Sequence, residues 1–179
     1  MSEHPEEITL RPYDPGDDAD RQALWDLKIA FETGLGTGTG TDEKAAKYES
    51  KLDDAYRRRW LSWVDRCVDG EERCLLLAEA DADAGLDRTD GVVGYLFLLP
   101  ERLAFIWDAA VINELYVTPD WRGEGVADAL MDAAVAVARE QDLPLDRLLL
   151  DVDQDNERAY AFYERHGFEP WGEIVSRTL

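Results

Sequence analysis

The chain has 179 residues, with 40 Asp and Glu against 19 Lys and Arg, for a formal charge of −21. So acidic a chain excludes general nucleic-acid binding, which needs a basic surface to neutralise phosphates. With 45% hydrophobic and 10% aromatic residues it reads as a single folded domain rather than a disordered chain, and it has no apolar run of membrane-spanning length.

The elements follow in order along the chain. The first residues, about 1–6, read as a flexible tail with neither the basic nor the apolar region of a secretory signal, so a cytoplasmic location is expected. "ITLRP" alternates as a short strand, "DPGDDAD" is a turn rich in capping acids, and Leu24, Trp25, Leu27, Ile29, Ala30 and Phe31 recur at helical spacing. "GLGTGTGT" is expected to be a flexible loop over about residues 34–42, because it lacks the Lys-Ser/Thr pair of a nucleotide cradle. Helical spacing returns from Asp42 to about Val68, with Tyr48, Leu52, Tyr56, Trp60 and Trp63 forming an aromatic packing stripe. Cys67 and Cys74 have no metal-ligand spacing and are read as reduced thiols. "RCLLLAEADA" and "GVVGYLFLLPE" read as paired antiparallel strands, and "AAVINELYVTP" as another strand ended by Pro119. A helix from about Gly125, the strand "DRLLLDVD", a shorter helix ended by Gly167, and a final strand or pair of strands in "EPWGEIVSRTL" complete the pattern. This order specifies one mixed α/β domain over residues 1–179.

Two segments carry chemistry. In "ELYVTPDWRGEGVADAL", Gly123 and Gly125 let the backbone approach a ligand at positive φ, and the following helix offers unpaired N–H groups and the positive end of its dipole. That is an anion socket built from main-chain donors, with Arg122 as one added cation. In "NERAYAFYERHGF", Asn156, Ala159 and Tyr163 share one helix face while Phe162 and Phe168 turn to a core; Asn156 also fits an N-cap and Tyr163 a half-buried packing role. His166 sits beside the helix-ending glycine and pairs with no candidate catalytic residue.

Together the two segments resemble the GNAT superfamily of N-acetyltransferases. Arg122, Gly125 and Ala127 match its phosphate motif, with Val126 and Leu130 at the apolar positions. Leu150, Val152, Asn156, Ala159, Phe162, Tyr163, Gly167 and Phe168 match its later motif, about thirty residues on. The opening strand and helix are similar as well, so the resemblance spans nearly the whole chain.

The resemblance implies a mixed, mostly antiparallel sheet with helices on both faces and a splay between strands 4 and 5. It implies acetyl-CoA as cosubstrate, with no metal. The diphosphate would lie on the amides of Gly123, Glu124, Gly125, Val126 and Ala127 beside Arg122. The pantetheine arm would run along Leu115, Tyr116 and Val117, with Asn156 on its other side. Tyr163 would act as general acid and Glu114 as base. The acceptor would be a small-molecule amine or a protein amino group, attacking directly in a ternary complex; the alternative is a regulatory module that binds acetyl-CoA without turnover. The family often forms homodimers. Glu124 departs from the family's usual basic residue and must point away from the phosphates. The spread of acids along the chain fits a salt-rich cytoplasm, and a cationic substrate is the competing account.

Overall fold

The computed structural model describes residues 8–38, 46, 49–81, 91–153 and 155–179. It contains β1 (Ile8–Pro12), α1 (Asp18–Gly38), α2 (Asp54–Val68), β2 (Leu75–Ala80), β3 (Gly91–Leu98), β4 (Ala110–Val117), α3 (Val126–Ala138), β5 (Leu148–Leu150) and α4 (Glu157–Arg165). The strands form one sheet in chain order; β1 to β4 pair antiparallel, and β5 lies parallel to β4.

Strand alternation sends side chains to two cores, one on each face of the sheet. Leu76, Ala78, Val93, Leu96, Leu98, Ile112 and Val117 pack against Trp121 and the apolar face of α3. Leu75, Leu77, Tyr95 and Phe97 pack against Leu24, Trp25, Trp60 and Val64 of α1 and α2. Trp121 belongs to the first core, whereas Trp107 is 53% exposed.

A break in the alternation of β4 decides where its acid goes. Phe97 pairs with Glu114 and Leu98 with Ile112, so Asn113 is an extra residue, a β-bulge. Without it, Glu114 would lie on the face of Ile112. With it, Glu114 turns to the α1/α2 face beside Tyr95. The pairing of β4 with β5 covers only Ala110–Ile112, so among the described residues β4 has no strand partner on that side beyond the bulge. The expected splay lies here. Glycine is required at Gly94 in β3, because a Cβ there would sit 2.8 Å from the carbonyl oxygen of Tyr116.

Three expectations change. Residues 34–38, expected within a loop, continue α1; residues 39–45 lie outside the described residues. Residues 46 and 49–50 are helical as expected, but the run breaks at 51–53 and α2 begins at Asp54, capped by Asp53, whose carboxylate accepts from the amide of Tyr56 at 2.7 Å. The expected final strand is absent: residues 169–179 have no regular structure, and Trp171, Ile174, Val175 and Leu179 are exposed. Three-residue β5 gives such a strand little ladder to join, and Pro170 and Gly172 weaken its own preference. Cys67 and Cys74 are buried, unpaired thiols, and burial pushes Cys74 up to about 12.

Candidate functional site

The glycine turn takes the conformation its sequence specifies. Gly123 and Gly125 have φ of 85° and 80°, and Gly125 caps α3. The backbone bonds here come from Trp121 and Arg122 on one side and from Ala129 on the other. Among the described residues, the amides of Gly123, Gly125, Val126 and Ala127 have no backbone acceptor. They are the donors an anion would use. Glu124 is exposed, as its charge demands. Asp128, in the first turn of α3, is matched by Arg165 at 2.7 Å and His166 at 2.9 Å, and its carboxyl is held below the usual range.

Arg122 is fixed where β4 ends. Its Nε donates to the carbonyl of Val117 at 2.9 Å, and its guanidinium lies 5.6 Å from the centre of the Tyr116 ring. A second arginine joins it. Arg158 in α4 is held below its usual range first by burial and then by the charge of Arg122. Neither arginine forms an ion pair among the described residues. Two neighbouring guanidiniums without a carboxylate repel one another unless an anion lies between them. Sequence reasoning missed Arg158; its only signal was a cation inside "NER", two residues after the helix cap.

Leu115 and Val117 face the α3 core, and Tyr116 faces the other. Among the described residues their β5-facing backbone edge has no strand partner beyond the bulge. Asn156 caps α4: its Oδ1 accepts from the amide of Ala159 at 3.1 Å. The side-chain NH₂ group is left pointing elsewhere as a donor.

Tyr163 is half-buried, with its ring edge-on to Phe162 at 5.4 Å and to Phe168 at 5.7 Å. Among the described residues its hydroxyl makes no hydrogen bond. Burial pushes its pKa up to about 12.

Glu114 is in a different situation from an open base. It is 6% exposed. Its Oε1 accepts from Lys28 Nζ at 2.5 Å and from Asn113 Nδ2 at 3.3 Å, and its Oε2 accepts from the Tyr95 hydroxyl at 2.7 Å. Lys28 in turn reaches Glu32 at 2.6 Å, and Lys51 reaches Glu32 from outside at 2.9 Å. Burial outweighs the ammonium and raises the Glu114 carboxyl, while the two carboxylates outweigh burial and raise Lys28. A one-sequence reading could not find this network, because Lys28, Glu32, Tyr95 and Glu114 come from three separate elements.

Tyr163 and Glu114 therefore lie on opposite faces of the sheet, with the open stretch of β4 between them. Among the described residues no helix is long and apolar enough to cross a membrane, and no group of three His, Cys, Asp or Glu could hold a metal.

Comparison with known proteins agrees with this architecture. The chain is 32% identical over 180 aligned residues to a mycothiol acetyltransferase of Salinispora tropica, covering 98% of this chain and 49% of that one. It therefore spans about half the length of that relative. It is 26% identical to the peptidyl-lysine N-acetyltransferase YjaB of Escherichia coli, over 73% of this chain and 67% of the relative. Among solved structures, the PaiA N-acetyltransferase of Thermoplasma acidophilum in complex with coenzyme A shares the fold with a TM-score of 0.66, at 19% identity, over 90% of this chain and 89% of that one. Residues 39–168 match the model of the acetyltransferase (GNAT) family, and the chain belongs to that family.

Proposed function

We propose that the protein transfers the acetyl group of acetyl-CoA to an amine by direct attack. One observation carries this reading above the others. Among the described residues, the amides at the start of α3 have no backbone acceptors, the β4 edge is unpaired beyond Ile112 and the Tyr163 hydroxyl makes no hydrogen bond, and together these support it. A diphosphate fits the amides of Gly123 to Ala127, with Arg122 and Arg158 supplying the cations that a surface of charge −21 lacks. The main chain of Leu115, Tyr116 and Val117, with Asn156 opposite, would hold the extended arm.

The chemistry then needs two things. The amine must shed a proton, because a primary amine has a pKa near 10. Its lone pair forms the new C–N bond as the C–S bond breaks, and the bonding electrons leave on sulfur. A thiol of pKa about 8.5 makes a weaker base than the phenolate of Tyr163. Tyr163 accordingly stays protonated and stabilises the departing thiolate by donating a hydrogen bond. Both oxygens of Glu114 already have donors, so we assign it to taking up the amine proton through water rather than by direct contact.

Tyr163→Phe tests the reading. Thioester consumption measured with free-thiol detection across a panel of amines, in dilute buffer and in molar KCl, should fall by about 10²–10⁴ in kcat. Binding of coenzyme A should change little. Unchanged turnover would return Tyr163 to packing. The salt arm also reports on the acidity: adaptation to a saline cytoplasm requires the wild type to be more stable and more active in molar salt.

A further inference from the structure

The α1/α2 face holds a second arrangement that the transfer step does not use. Glu32, in α1, is 3% exposed. Its Oε1 is bound by Lys28. Its Oε2 is fully enclosed and faces Lys51 at 2.9 Å, but not along a hydrogen-bonding direction. The charge is answered and the lone pairs are poorly used. Lys51 lies between the two helices, is 36% exposed at its side chain, and places Nζ 5.3 Å from the centre of the Tyr56 ring. Deeper in, the Lys28 ammonium lies 5.1 Å from the Trp60 ring and 5.3 Å from the Phe31 ring. Carboxylates interleaved with aromatic faces are an environment for ammonium groups. The inner place belongs to a buried lysine, and the outer one to a lysine whose side chain is partly exposed.

We propose that the outer place, Glu32 Oε2 beside Tyr56, docks a second ammonium group of the acceptor, and that Lys51 fills it when no acceptor is bound. The inference rests on the acetyltransfer reading and narrows its acceptor. A nitrogen about to attack a carbonyl must be neutral, so a carboxylate that recognises positive charge reads a different nitrogen of the same molecule. The acceptor class is then a diamine or longer polyamine, one end neutral at the thioester and the other charged at Glu32. A molecule of charge −21 also draws such polycations in from solution.

The test is calorimetric titration of the whole protein with 1,4-diaminobutane, for the wild type, Lys51→Met and Glu32→Gln, with exposed Glu169→Gln as a control for the general field. If Lys51 covers the site nine-tenths of the time, its removal should tighten binding about ten-fold. Losing a desolvated charge partner costs about 2 kcal/mol or more, so Glu32→Gln should weaken binding roughly 30-fold. Glu169→Gln should match the wild type. In turnover, Lys51→Met should lower KM for the diamine and leave kcat unchanged. Should Glu32→Gln fail to fold, Lys51→Met alone decides. Affinity identical in wild type and Lys51→Met would overturn the proposal even if thioester cleavage proceeds. Tightening in Lys51→Met with no cleavage in any variant would uphold the ammonium site and sink the acetyltransfer reading instead.

Discussion

Replacing Lys28 by methionine probes the buried network that ties α1 to β4. Lys28 is 3% exposed and bridges two carboxylates that are themselves almost fully buried. Met keeps most of the stem's volume, so packing against Phe31 and Trp60 largely survives while the charge disappears. Removing one partner from a buried ion pair costs about 3–5 kcal/mol, because the other charge stays behind without compensation. Tyr95 still donates to Glu114 and Lys51 still faces Glu32, which places the loss at the lower end of that range. For a chain of this size each kcal/mol lowers Tm by roughly 2–4 °C, so the variant should melt roughly 6–12 °C lower near neutral pH. The pH dependence is the sharper signature. Burial already raises the Glu114 carboxyl, and without the ammonium it rises further. A group whose folded pKa is raised binds protons more tightly in the native state, so the variant regains stability as pH falls toward the Glu114 pKa. The gap between variant and wild type, followed by circular dichroism melts at about pH 8 and about pH 5.5, should narrow in acid. Adding Glu114→Gln to Lys28→Met should recover part of the loss. A loss under about 1 kcal/mol, equal at both pH values, would refute the idea that Glu114 is charged and held by Lys28.

Other perturbations test the frame around the cleft. Gly94→Ala forces a Cβ to 2.8 Å from the Tyr116 carbonyl oxygen and pushes β4 away from β3; it should cost about 1–3 kcal/mol in urea unfolding and weaken coenzyme A binding. Asp20, 2% exposed, accepts from both terminal nitrogens of Arg11 at 2.7 Å, and that pairing first of all holds its carboxyl low. A depressed carboxyl stabilises the fold above the ordinary range, near pH 4, and loses that effect as pH falls further. Asp20→Asn should therefore cost about 2 kcal/mol at neutral pH, and its melting curve should converge on the wild type's in acid. A constant offset at all pH values would show that the ion pair contributes nothing.

Much of this was written locally. Strand alternation, helical spacing and turn residues place β1 to β5 and most of α1 to α4, because each signal lies within its own element. The positive φ of Gly123 and Gly125 follows from the same local logic. Three features were not legible. The fate of "EPWGEIVSRTL" depended on the length of β5, which sets how much edge is available to pair with. The pairing of Arg158 with Arg122 depended on how α4 lies against the end of β4. The burial of Glu114 depended on Asn113, a residue whose type gives no hint that it is unpaired.

That one inserted residue sets the phase of the rest of β4. Remove Asn113 and every later side chain changes sides: Leu115 would meet α1 and α2, and Glu114 would enter the apolar core beneath α3. The parallel pairing with β5 ends at the same point along the strand, at Ile112. A single codon thus chooses which wall of the sheet carries the acid, at the level where the two strands part.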